Sequence, residues 1–202
     1  MYNEGVIKFD FLCKDKDYII PQNVFEIINP VRNKLADENL IGQYTDGLCY
    51  GNISIRANDS NEFYISASDT GKIKKAGKEH YVRIHQCSIE ENFCLFSGSG
   101  LPSSETLTHY IIYRYCKEVN SVIHIHNREI WLKLIDKVPT TPKSAEYGTI
   151  DMVRAVENLF NNGSLQKSKI LVMHGHEEGV VCFGESADEA ESIVLSFLKT
   201  IY

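Results

Sequence analysis

Two histidines stand two residues apart inside an apolar run, Ser121-Val122-Ile123-His124-Ile125-His126. The run is rich in β-branched residues and reads as a strand, where side chains alternate between faces. His124 and His126 therefore share one face, with Ile123 and Ile125 on the other. Two imidazoles at this step can hold one metal ion. A second apolar run, Lys169-Ile170-Leu171-Val172-Met173, ends at His174, which could supply a third ligand. His176 competes with it, and either could be a turn residue. Three protein ligands and an open position describe a catalytic zinc-type site rather than a closed structural one.

Three further groups of residues could do chemistry beside such a metal. Glu105 falls in the first turn of a helix opened by Pro102-Ser103-Ser104, where the helix dipole favours a carboxylate. Facing a metal, it becomes a candidate proton carrier. Ser103 and Ser104 stand at the same helix start, and capping needs only one hydroxyl; together with free amides they make an anion site. Two polar loops, Tyr50-Gly51-Asn52-Ile53-Ser54 and Ser66-Ala67-Ser68-Asp69-Thr70-Gly71, could aim backbone amides at a phosphate or carboxylate.

The elements that must position these residues follow from pattern and punctuation. Val6 to Phe11 alternates like an edge strand. Pro21 to Ile28 forms a helical turn or two, and Asn29-Pro30 reads as a cap and first residue of a separate helix to about Leu40. Gly51–Ala57 and Phe63–Ala67 make a hairpin around Asn58-Asp59-Ser60-Asn61. Short strands are expected at 81–84 and 92–96, then a helix from Pro102 to about Lys117, strand 121–126 and a helix from Arg128 to Ile135. Thr149 caps a helix to about Phe160, strands follow at 169–173 and 179–183, and Ser186-Ala187-Asp188-Glu189 is a capping box for the last helix. Mixed elements without regular βαβ alternation predict an α/β sandwich of two or three layers on a largely antiparallel sheet.

With 202 residues, the chain is expected to form a single domain over 1–202. A net charge of −6 argues against a nucleic-acid surface. No apolar run is long enough to span a bilayer, and Met1-Tyr2-Asn3-Glu4-Gly5 lacks the basic start of a secretory signal, so a cytoplasmic location is expected. The six cysteines form no Cys-x-x-Cys pair and read as free thiols.

Gly51-Asn52-Ile53-Ser54, the Ser66–Gly71 loop, Pro102-Ser103-Ser104-Glu105, His124-x-His126, Glu146-Tyr147-Gly148-Thr149, His174-Gly175 and Gly179 occur in an order that resembles the class II aldolase/adducin family. The resemblance covers roughly residues 28 to 200. It implies a three-layer α/β/α sandwich around a mostly antiparallel central sheet, assembled as a homotetramer. It also implies a divalent ion, Zn2+ or alternatively Mn2+, Co2+ or Fe2+, on His124, His126 and His174, with His176 left as a turn residue. Glu105 becomes the acid/base, and Asn52, Ser68 or Thr70, Ser103 and Ser104 the substrate phosphate site. The implied activity is that of a lyase acting on a small hydroxy-carbonyl compound, such as a sugar phosphate, through a metal-stabilised enediolate. In the family's sugar-phosphate aldolases a tyrosine follows His-x-His and acts across the subunit interface; here Asn127–Ala145 contains none. Epimerisation and dehydration are the family's other reactions, and a non-catalytic adducin-like binding or assembly head is the rival from another class.

Overall fold

The computed structural model describes residues 6–58 and 60–200. Asp59 of the expected hairpin turn and the Met1–Gly5 start lie outside the described residues. An eight-stranded sheet runs through the molecule. Its strands are β1 (Asp10–Asp15), β4 (Asn52–Arg56), β5 (Phe63–Ser66), β6 (Tyr81–Ser88), β7 (Phe93–Ser97), β8 (Ser121–His126), β9 (Ile170–Val172) and β10 (Gly179–Gly184). Their order is β1-β7-β6-β5-β4-β8-β10-β9. Among the strand pairs of the described residues, β1 against β7 is parallel and the others in this sheet are antiparallel. A separate two-stranded ribbon, β2 (Gly42–Gln43) with β3 (Cys49–Tyr50), stands beside it.

Strand alternation divides the interior into two cores, one on each face of the sheet. Val122, Val181 and Phe183 go to one core, where they meet Leu107 and Ile111 of α2 (Thr106–Tyr115), Val153 and Val156 of α4 (Ile150–Asn161), and Leu165 of α5 (Ser164–Ser168). Ile123, Ile125, Val180 and Cys182 go to the other. There they meet Val31 and Leu35 of α1 (Gln22–Asp37), Ile130 of α3 (Arg128–Leu134), and Ala190 and Val194 of α6 (Ala187–Leu198). This is the three-layer sandwich with a mostly antiparallel sheet.

Several local expectations are met where the chemistry is local. The α4 cap Thr149 accepts from the Met152 amide, and the α6 cap Ser186 accepts from the Glu189 amide. Others shift. The edge strand begins at Asp10, not Val6, because its partner is β7 and the register starts Asp10↔Phe93. Asn29-Pro30 does not start a helix; α1 runs unbroken through Pro30. Pro30 deprives the Glu26 carbonyl of its partner, but both residues are exposed, so water can replace it. The buried face of α1, Ile28-Val31-Leu35, holds the helix together from the core side. In the apolar stretch Ile193–Leu198, Val194 is buried and Ile193, Phe197 and Leu198 pack on the same core. No helix among the described residues is long and apolar enough to cross a membrane.

Two buried arginines tie helices to loops. Arg32 of α1 donates to the Thr70 and Lys74 carbonyls at 2.6 and 3.2 Å. Arg56 at the end of β4 donates to the carbonyls of Val119, Ser60, Tyr113 and Cys116 at 2.7–3.0 Å. Two of these carbonyls close the C-terminus of α2, where a cation also meets the negative end of the helix dipole. Arg56→Met would leave several buried carbonyls without a donor. We expect a loss of about 2–4 kcal/mol, read as a lower urea midpoint at unchanged slope. An unshifted midpoint would show that water replaces the guanidinium without cost.

Candidate metal centre and active-site cleft

Strand β8 is buried along its whole length and lies between β4 and β10. In that register Asn52 faces His124, and Gly179 faces His126. A ligand-capable atom of His124, His126 and His176 falls within 4.8 Å of the other two. The third histidine is therefore His176, and the expected His174 is not in the group.

The reason lies in the turn between β9 and β10. The chain closes a turn with the His176 amide on the Met173 carbonyl and another with the Gly179 amide on the His176 carbonyl. Gly175 packs so closely on Ala145 that an added Cβ would lie 2.0 Å from its carbonyl oxygen. That approach carries His174 to the other side, where its amide donates to Thr141 Oγ1 and its ring meets Trp131 edge-on at 5.9 Å. His176 comes inward, its ring 5.0 Å from His124 and 4.6 Å from His126. A residue count along an apolar strand could not separate the two, because the turn that separates them depends on Ala145, far away in sequence.

The three imidazoles suit a metal. His124 is 1% exposed, and neither ring nitrogen has a hydrogen-bond partner among the described residues. Burial pushes the pKa values of His124 and His126 well below the usual histidine range. Burial, with the Lys8 charge, pushes His176 down to about 3. All three are neutral at pH 7 and present lone pairs rather than charges. An added Cβ at Gly179 would stand 3.3 Å from His124 Nε2 and 3.2 Å from the His176 ring, a tight contact that glycine avoids. The Tyr44 hydroxyl sits 2.8 Å from His126 Nδ1 and donates to Glu178 Oε2 at 2.7 Å. Because Tyr44 gives its proton to the carboxylate, it accepts from Nδ1–H, which leaves His126 Nε2 for a metal. Neither Tyr44 nor Glu178 stands out in the sequence.

The remaining expected residues line the same cleft of about 250 Å³. Glu105 is the residue before α2 rather than in its first turn, and it is 2% exposed. Its side chain does not cap the helix; Oε1 lies 3.8 Å from His176 Nδ1. Asn52 Nδ2 donates to Ser103 Oγ at 3.0 Å, which also receives the Glu105 amide at 3.3 Å. Ser104, Ser68 and Thr70 all border the space. The Thr70 hydroxyl is engaged, donating to the Ala67 carbonyl at 2.7 Å. Asp69, on the same loop, is ion-paired with Lys72 and accepts from Cys49 Sγ at 3.2 Å. The ribbon β2–β3 supplies a wall through Cys49 and Tyr50, and the Tyr50 ring lies 5.4 Å from that of His126.

Comparison with known proteins fits this arrangement. The family model for the class II aldolase and adducin N-terminal domain matches residues 38–198. The chain belongs to the class II aldolase and adducin family. Members of this family typically use a divalent metal, in keeping with the histidine group found here. One relative, named probable L-ribulose-5-phosphate 4-epimerase from Mycoplasma pneumoniae, is 26% identical over 161 residues. That match covers 75% of this chain and 63% of the relative, so the chain spans less than two thirds of the relative's length. The L-fuculose-1-phosphate aldolase of Thermus thermophilus has a similar fold, with a TM-score of 0.63 and 16% identity over 88% of this chain and 90% of that one. A sugar-phosphate aldolase from Thermotoga maritima gives a TM-score of 0.59 and 16% identity over 86% and 93% of the two chains.

Metal content by mass spectrometry tests the centre in this class II aldolase family member. We expect about one divalent ion per chain, lost in His176→Ala and retained in His174→Ala. Tyr44→Phe should keep the ion but weaken its affinity about 10- to 100-fold, measured by chelator competition. Loss of metal in His174→Ala with retention in His176→Ala would reverse the assignment.

Proposed function

We propose that this chain is a metal-dependent, aldolase-type lyase acting on a small hydroxy-carbonyl compound of the sugar-phosphate class. The observation that carries the proposal is the convergence of three buried neutral imidazoles and the buried Glu105 carboxylate on one cleft. A zinc-type divalent ion held by His124, His126 and His176 would supply Lewis-acid polarisation of a carbonyl. Glu105 then carries the proton. Its carboxylate stands at the head of α2 inside the cleft, away from bulk water and within reach of a substrate held next to the histidines.

The other cleft residues bind and orient. Asn52 is fixed by its amide hydrogen bond to Ser103, and its buried Oδ1 has no partner among the described residues, which suits it to accept from a substrate hydroxyl. Ser103 and Ser104 border the cleft at the head of α2, beside Glu105. Residues 67–71 also line the cleft, and the Ser68 amide ties that loop to the Leu101 carbonyl just before Ser103. Lys72 offsets the Asp69 carboxylate there, which lessens the repulsion that a phosphate would otherwise meet on that loop. The proposal includes a homotetramer, as the family resemblance implies.

The similarity to a protein named as a 4-epimerase favours one second reading. In it, the same cleft breaks a carbon–carbon bond and re-forms it on the other face, with Glu105 in the same role.

The test is turnover of metal-loaded protein on ketose phosphates and their unphosphorylated counterparts, assayed for cleavage and for epimerisation. We expect Glu105→Gln to keep its metal while losing about 10²- to 10⁴-fold in kcat. Full turnover by that variant on a proven substrate would remove the role given to Glu105. Absence of any turnover by fully loaded protein would favour a binding head.

A further inference from the structure

A second polar group lies beneath the cleft. Glu105, His109 and Tyr113 recur at four-residue steps, so they form one stripe along α2. His109 and Tyr113 are completely buried. Ser54 of β4 joins them: its Oγ is 2.7 Å from His109 Nδ1 and 2.7 Å from the Tyr113 hydroxyl. Ser54 is two residues from Asn52, on the same face of β4, and Asn52 is the register partner of His124. The group therefore adjoins the metal centre through the sheet.

A histidine buried only for packing would have both nitrogens satisfied or would be replaced by an apolar residue. His109 is satisfied at Nδ1 alone. Its Nε2 is buried and has no partner among the described residues, and the same is true of His124 Nδ1. Ser54, which His109 touches, is the register partner of Val122, two residues before His124 on the same face of β8. A metal-ligating histidine almost always donates its second N–H to a fixed acceptor. For His126 that acceptor is Tyr44. His124, whose Nε2 is the nitrogen beside Gly179 and the His176 ring, needs one for Nδ1–H.

We propose that His109 is the positioning residue of His124, taking its Nδ1–H at Nε2 through one bridging water. The rest of the chain of hydrogen bonds then has a single consistent direction. His109 Nδ1–H donates to Ser54 Oγ, and the Ser54 hydroxyl donates to the Tyr113 oxygen. His109 is thereby held as the tautomer with a bare Nε2. The inference rests on the metal reading proposed above and adds a set of residues that touch neither metal nor substrate.

Cobalt(II) binding to the full chain tests it, with affinity read by chelator competition and ligand geometry by the visible absorption bands. His109→Asn keeps a polar atom for Ser54 but has none at the Nε2 position; His109→Gln keeps an acceptor there. We expect His109→Asn to bind cobalt about 10- to 100-fold more weakly with shifted bands, and His109→Gln to remain within a few-fold of the parent. Ser54→Ala, a small change that preserves packing, should also shift the bands. Parent-like affinity and bands in His109→Asn would overturn the proposal, as would equal losses in the Asn and Gln variants. If His109→Asn does not fold, a parent-like spectrum in Ser54→Ala overturns it instead. A parent protein that takes up no cobalt would overturn the metal reading itself, and this inference with it.

Discussion

Everything about this site depends on how β8 divides its side chains. Ile123 and Ile125 are drawn into one core by burial, which forces Val122, His124 and His126 onto the opposite face. A slip of one residue would put two imidazoles among the aliphatic side chains of α1 and α6 and expose the isoleucines to the cleft. The hydrophobic effect on one face of the strand thus fixes the placement of the two histidines on the other. Because the strand lies near the middle of the sheet, paired on both edges, the register cannot drift to relieve the cost of burying polar rings.

That cost is met by arrangement rather than by solvent. The rings are held neutral by burial, so no charge needs a counter-ion. Tyr44 and Glu178 take up one ring nitrogen of His126. The stripe of Glu105, His109 and Tyr113 on α2 lies over the same face, so the helix that closes the core also brings the carboxylate to the cleft. Arg56 and Arg32 lock the flanking loops by donating to their carbonyls. Hydrogen bonds of this kind fix the loops and strands that border the cleft.

Much of the fold was legible because its causes are local. Strand 121–126 coincides with β8, and the caps Thr149 and Ser186 stand where their side chains say they should. Pro30 misled because helix-breaking is a local tendency, and here core packing of Ile28, Val31 and Leu35 outweighs it. The ribbon β2–β3 and the short helix α5 carry no strong pattern, and their form comes from tertiary contact.

By itself, the sequence determined that two histidines share a strand face and that a carboxylate and two serines stand at the approach to a helix. Periodicity and capping are properties of neighbouring residues, so they can be read from a string. Tertiary structure alone decided which histidine completes the group. The close approach of Gly175 to Ala145 turns His174 toward Trp131 and His176 toward the cleft. It likewise decided that Tyr44 belongs with the site, since its hydrogen bond to His126 crosses 82 residues, and that His109 meets Ser54, 55 residues away. Such partners are chosen by the packing of distant segments, and no spacing along the chain encodes them.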